Sequence, residues 1–171
     1  KTDPNTLLEF QDGPSKQELA RIVRELAETI RDGGMEAAFR LAEEPLQAYP
    51  QCAELLHSIA ALLDGGLMMS ALPEAQKEPY MQTVMALYER VAKSDDAAYA
   101  NRAKYMLVSK WMNLRQYDRA QEILDSMPDW NALDTRGMQA GILSVQGETA
   151  KAAELLERKL LLSVQDQQAT L

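Results

Sequence analysis

The residue types that most often perform catalysis or bind metals are scarce in this chain and are poorly placed to act together. The single cysteine, Cys52, and the single histidine, His57, are five residues apart. That spacing puts them about 140° apart around one helix, so they form neither a dyad nor a metal cluster. The carboxylate pairs Glu43-Glu44 and Asp95-Asp96 are adjacent in sequence, and adjacent residues do not share a helix face. We therefore expect no enzymatic activity, no metal and no cofactor.

Two Asp-Gly-Gly tripeptides, at residues 32–34 and 64–66, lack the alternate oxygen ligands that would follow in a calcium-binding loop. Their glycines come after helical segments, whereas a phosphate-binding glycine loop precedes a helix. The pattern instead predicts two helix ends, since glycine readily takes the left-handed conformation that closes helices. The tripeptides are 32 residues apart, as are Arg115-Gln116-Tyr117 and Gly147-Glu148-Thr149. This spacing is typical of helical-hairpin repeats.

Apolar residues at helical spacing predict eight helices along the chain. The first begins at the capping box Ser15-x-x-Glu18, and Asp95 or Asp96 caps the fifth. Pro79 fits the first turn of the fourth. The helix junctions fall near residues 33, 65, 115 and 147, at intervals of 32, 50 and 32 residues. The long middle interval predicts an irregular insertion at Leu67–Glu78. We expect an all-α fold of about four antiparallel hairpins, stacked as a right-handed superhelix.

Three of the junctions align in detail. Each has a turn residue, a side chain that covers the turn and an alanine where two helices touch: Gly33-x-Met35-x-x-Ala38, Arg115-x-Tyr117-x-x-Ala120 and Gly147-x-Thr149-x-x-Ala152. This pattern resembles the tetratricopeptide repeat (TPR), and Pro50 falls where that repeat usually ends. Lys104 and Arg136 stand where the first helix of that repeat usually has tryptophan, so we describe the predicted fold as TPR-like.

A second resemblance covers more of the chain. Three segments carry it: Tyr88-Glu89-Arg90-Val91 followed by Asp95-Asp96, then Tyr117 to Ala120, then Ser126-Met127-Pro128-Asp129-Trp130. They resemble the C-terminal region of bacterial Xre-type transcriptional regulators, in which a lambda-repressor-like helix-turn-helix domain precedes a TPR-like region. Thr2–Phe10 resembles the trailing edge of such a DNA-binding domain. The resemblance implies that residues 1–14 are a linker from a missing helix-turn-helix domain and that residues 15–171 are the repeat domain.

The predicted fifth helix offers a candidate partner site, because the first helix of each hairpin lines the concave groove in TPR-like arrays. If Ala103, Leu107 and Trp111 pack inward, the groove is lined by Asn101, Arg102, Tyr105, Ser109 and Met112. Arg102 and Tyr105 can donate hydrogen bonds to a peptide backbone or a carboxylate. The alternative is an ordinary solvated helix face.

The apolar stretch Leu67-Met68-Met69 lies in the predicted insertion, where no helix requires it. Such a stretch either folds onto its own array or contacts a second subunit, so these residues are a possible dimer contact. Met106, Met112 and Met138 fit the spacing of a core, and they also fit an adaptable binding surface.

Charge and composition bear on two function classes, nucleic-acid binding and membrane insertion. The net charge of −8 repels phosphate backbones, so we expect DNA contact only through the missing domain. A single cysteine fits a reducing, cytoplasmic setting, and no apolar run is long enough for a membrane span. We expect a regulatory, oligomerising and ligand-sensing module of a DNA-binding regulator. It would bind a peptide or protein partner and form a homodimer that reads paired half-sites. The alternative is a stand-alone TPR-like adaptor.

Overall fold

A computed structural model describes residues 13–127 and 135–168, with side chains described as far as residue 160. The described residues form eight α-helices and no strand, which confirms the all-α class. Their bounds are α1 Lys16–Arg31, α2 Met35–Ala48, α3 Ala53–Met69, α4 Glu74–Ala92, α5 Ala97–Asn113, α6 Tyr117–Asp125, α7 Arg136–Val145 and α8 Thr149–Gln168. Most of the predicted linker, residues 1–14, lies outside the described residues.

The chain divides into two compact units, residues 1–100 and 101–171. In the first unit α1 packs against α2 and α3, α2 packs against α3, and α3 packs against α4. Its largest fully buried side chains are Leu26, Leu55, Ile59, Leu63, Leu67, Val84, Tyr88 and Val91. In the second unit α7 packs against α6 and α8, and the core cluster consists of Val108, Ala120, Leu124, Met127 and Ile142.

Three of the predicted junctions are the same turn. The backbone is left-handed at each, with φ of 82° at Gly33, 59° at Arg115 and 83° at Gly147. The next N–H then donates to the carbonyl five residues earlier: Gly34 to Thr29 (3.1 Å), Gln116 to Trp111 (2.8 Å) and Glu148 to Leu143 (2.8 Å). The alanine of each motif is buried, namely Ala38, Ala120 and Ala152. The predicted tight turn between two successive helices is therefore confirmed at these three junctions.

Two predicted helix starts are also confirmed. The Ser15 hydroxyl accepts a hydrogen bond from the N–H of Glu18 (3.2 Å), which caps α1. Asp96 caps α5, because its Oδ1 accepts from the N–H groups of Ala98 (3.0 Å) and Tyr99 (3.2 Å). The polar residues at these positions satisfy amides that a helix leaves without a partner.

The predicted helix end at Asp64-Gly65-Gly66 is wrong, because α3 continues through it to Met69. Asp64 is buried and its Oδ2 accepts a hydrogen bond from the Tyr88 hydroxyl of α4 (3.4 Å). Gly66 is also buried, and a Cβ added there would lie 2.7 Å from Cγ2 of Ile30. Glycine serves close helix packing here, and the contacts of the neighbouring helices keep the backbone helical.

The predicted irregular insertion at Leu67–Glu78 is also wrong. Both flanking helices extend into it, so the connection between them is only residues 70–73. Pro79 lies inside α4 and not in its first turn, because the helix begins at Glu74 after the N-cap residue Pro73. The Pro73 carbonyl accepts from the N–H of Gln76 (2.8 Å) and the N–H of Lys77 (3.1 Å), which starts the helix earlier. The extra residues of the second hairpin therefore lengthen its helices.

Candidate functional site

An apolar groove of about 770 Å³ lies between the C-terminal halves of α1 and α3 in the first unit. We call it the α1–α3 groove. It is lined by Ala27, Ile30, Arg31, Gly33, Met35, Ala61, Leu62, Gly65, Gly66, Met69, Ser70, Ala71 and Leu72. Its volume falls in the range of clefts that bind small ligands and cofactors, roughly 300–1,000 Å³.

The chemistry of the α1–α3 groove is that of a binding surface. Among its lining residues only Arg31 carries a charge, and it lies beside Asp32 with an N–O distance of 3.9 Å. The hydroxyl of Ser70 donates to the carbonyl of Leu67 (2.9 Å), so it already caps the end of α3. The remaining lining is apolar or backbone. Such a surface attracts apolar groups through the hydrophobic effect and holds no acid, base or nucleophile for catalysis.

Two adjacent glycines of α3 shape the groove in different ways. A Cβ on Gly66 would lie 2.7 Å from Cγ2 of Ile30 and 3.0 Å from Sδ of Met35, so this glycine lets the helices approach closely. A Cβ on Gly65 would meet nothing within 4 Å, so this glycine leaves the groove open. Ala61 and Gly65 are four residues apart and share one helix face. That pair of small residues is the sequence signal that could have indicated the groove.

The stretch predicted as a dimer contact is divided by the structure. Leu67 is fully buried in the core, while Met68 is 73% exposed and Met69 is 90% exposed. Met69 lines the α1–α3 groove, and Met68 is its neighbour at the end of α3. Methionine side chains are flexible and polarisable, so they adapt to partners of different shape. The groove thus has one adaptable apolar side chain, Met69, at its end.

The residues predicted to line a groove on α5 all belong to the second unit. Arg102 is exposed, and the other four, Asn101, Tyr105, Ser109 and Met112, are partly buried. Tyr105 and Met112 pack against the core cluster of that unit. Core packing therefore explains the partial burial of Tyr105 and Met112, and no ligand is needed to explain it. The use of these residues as a peptide groove stays a prediction.

Aromatic packing surrounds the single histidine. The ring of His57 lies 5.5 Å from that of Tyr99 and 6.1 Å from that of Tyr88, centroid to centroid. Burial, followed by the charge and hydrogen bond of Asp64, raises the pKa of Tyr88 far above its usual value. In the described part of the chain, no group of three His, Cys, Asp or Glu residues is placed to hold a metal ion.

Known proteins offer no match to this chain. No family model matches it, and no curated protein or solved structure is similar enough to match. Across residues 13–127 and 135–168, no helix is both long and apolar enough to cross a membrane.

Proposed function

We propose that the first unit is a protein-interaction module whose α1–α3 groove binds the apolar face of a basic helical segment from a partner protein. The observation that carries this proposal is the apolar groove itself, with Met69 90% exposed at its end. Apolar patches rimmed by polar residues on a soluble surface mark sites of interaction.

The dimensions of the groove suit a helix. Along α3, the lining residues extend from Ala61 to Met69, a length of about 12 Å, or about two helical turns. An amphipathic helix places apolar side chains on one face at positions i, i+3, i+4 and i+7 over that length. Helix-in-groove recognition uses this arrangement of anchors. The flexible side chain of Met69 can adjust to the shape of the anchors.

The negative charge of the first unit indicates that the partner segment is positively charged. Residues 1–100 contain 9 Lys or Arg and 17 Asp or Glu, a net charge of −8, whereas residues 101–171 contain 9 of each. All of the excess negative charge therefore lies in the unit that has the groove. A basic segment is attracted to this surface more strongly than a second acidic copy of the same unit, whose like charge opposes its entry into the groove.

The experiment uses a model peptide with leucines at i, i+3, i+4 and i+7 and lysines elsewhere, and a matched peptide in which glutamates replace the lysines. We expect saturable binding of the leucine/lysine peptide at low salt, with chemical-shift changes at Ile30, Leu62 and Gly65. The leucine/glutamate peptide should bind at least about tenfold more weakly because of charge repulsion. Equal affinity for the two peptides, or shift changes confined to other surfaces, would contradict the proposal.

We further propose that the chain has a TPR-like fold and belongs to a DNA-binding regulator. The three equivalent turns support a TPR-like superhelix. The resemblance to Xre-type regulators supports a regulatory module that reaches DNA through a helix-turn-helix domain and forms a homodimer. Of the predicted dimer contact, only Met68 and Met69 are exposed for it, because Leu67 is buried in the core. The stand-alone adaptor remains the alternative. Two observations separate them. Codons for a helix-turn-helix domain upstream of Lys1 and a dimeric mass by light scattering support the regulator, while a strictly monomeric mass favours the adaptor.

A further inference from the structure

A second cavity, of about 140 Å³, lies between α1 and α2 in the first unit and shares no lining residue with the α1–α3 groove. We call it the α1–α2 cleft. Its apolar wall consists of Ile22, Leu26, Leu41, Ala42, Pro45 and Ala48. A cavity of about this volume holds one benzene molecule, so the cleft has room for a single side chain.

The polar lining of the cleft is predominantly acidic. It contains the carboxylates of Glu18, Glu25 and Glu44 and the single guanidinium of Arg21. Nη1 of Arg21 donates to both carboxylate oxygens of Glu25, at 3.1 and 3.0 Å, so that positive charge is already engaged. The Tyr49 hydroxyl donates to Glu18 (3.1 Å). The remaining charge balance of the lining is −2, three carboxylates against one guanidinium.

A proline lies in the wall of the cleft. Pro45 has no amide hydrogen, so the carbonyl of Leu41, four residues earlier in α2, lacks its usual helical donor. Both residues line the cleft. The cleft itself combines an apolar wall with the carboxylates of Glu18, Glu25 and Glu44 as hydrogen-bond acceptors. A ligand that fits it has an apolar body and a head that donates hydrogen bonds and carries positive charge.

We propose that the α1–α2 cleft binds one lysine side chain of the protein partner. This inference rests on the proposed function and adds a specificity pocket to it. The four-carbon stem of lysine packs on apolar walls, and its ammonium group has three donors and no acceptor. A compact ammonium suits a cavity for one side chain, and its charge is complementary to the acidic lining.

The probe is Nα-acetyl-lysine N-methylamide, titrated into the intact chain at low salt and followed by the backbone NMR signals of Leu26, Ala42 and Ala48. The control probe is the norleucine analogue, which has the same stem without the ammonium. We expect saturable millimolar binding of the lysine probe and at least about tenfold weaker binding of the norleucine probe, since the head group supplies the charge complementarity. Equal binding of the two probes would overturn the proposal.

Two neighbouring residues of α2 supply matched variants. Glu44 lines the cleft and Glu43 does not, while both are exposed and each variant changes the net charge equally. We expect Glu44→Gln to weaken the lysine probe about threefold, as for an exposed ion pair, and Glu43→Gln to leave it unchanged. Equal effects of the two variants would show general charge attraction and overturn the pocket.

The two proposals fail separately in these measurements. Chemical-shift changes at Ile30, Leu62 and Gly65 on addition of the leucine/lysine peptide report on the α1–α3 groove. The Glu44→Gln and Glu43→Gln pair with the small probe reports on the cleft alone. Circular dichroism of both glutamine variants should match that of the unchanged chain, because the two side chains are exposed.

Discussion

The tripeptide Asp-Gly-Gly occurs in two regions of the first unit and takes a different conformation in each. At residues 32–34 it ends α1: Gly33 is left-handed at φ 82°, and the Asp32 side chain is 79% exposed. At residues 64–66 it lies inside α3, with Asp64 only 2% exposed and bonded to the Tyr88 hydroxyl. The comparison shows that the packing of neighbouring helices, rather than the local sequence, decides whether these glycines end a helix.

The aspartates should give the largest contrast between the two regions. Asp64→Ala removes the acceptor of the buried Tyr88 hydroxyl, and we expect a loss of about 3 kcal/mol in the free energy of unfolding. Asp32→Ala at the exposed position should cost less than about 0.5 kcal/mol. Urea denaturation of the two variants measures both values. Equal losses would mean that Asp64 has no special packing role.

The two glycines of the second tripeptide, Gly65 and Gly66, should give the next contrast. Gly66→Ala places a methyl group 2.7 Å from Cγ2 of Ile30, and we expect a loss of about 2 kcal/mol from overpacking. Gly65→Ala has open space and lies inside a helix, so it should gain about 0.5–1 kcal/mol from helix propensity. Thermal unfolding of the pair tests the opposite signs. A destabilised Gly65→Ala variant would contradict the described geometry.

The left-handed residues of the equivalent turns should give the smallest contrast. Gly33→Ala introduces a side chain at φ 82°, and we expect a loss of about 1 kcal/mol. Arg115→Gly relieves a non-glycine residue at φ 59°, and the gain should be about 0.5 kcal/mol after the entropy of the unfolded glycine is included. Chemical denaturation measures both, and effects of the same sign would show that the two turns are not equivalent.

Much of the fold could be predicted where the cause of a feature is local. Ser15 and Asp96 cap helices through their own side chains, and the turn at Gly33 depends on that residue's backbone freedom. The same reasoning was wrong at Gly66, because its cause is the close approach of Ile30 and Met35 from other elements. A local sequence pattern does not show which residues of other helices will pack against a given glycine. The start of α4 at Glu74 was missed because proline favours the first turn of a helix, whereas Pro79 lies further inside α4.

The candidate site was harder to predict from the sequence than the helices were. The prediction placed an apolar contact at Leu67, Met68 and Met69, but the assignment of each to core or surface depended on continuing α3 through the glycines. The α1–α3 groove is a gap between helices far apart in sequence, for example between Ile30 and Leu62. Its existence depends on the packing of α1 against α3, which periodicity alone does not define.

The proposal that the α1–α3 groove binds the apolar face of a helix is tested most directly by filling the groove without changing the charge of the chain. Gly65→Leu places a side chain where nothing lies within 4 Å, and Gly65→Ala is the matched control that leaves most of the groove open. The measurement is the affinity of each variant for the leucine/lysine peptide at constant salt. We predict that Gly65→Leu weakens binding at least about tenfold and Gly65→Ala changes it less than about threefold, since displaced apolar contacts are worth roughly 1.5–3 kcal/mol per side chain. Equal affinity of the two variants would contradict the account.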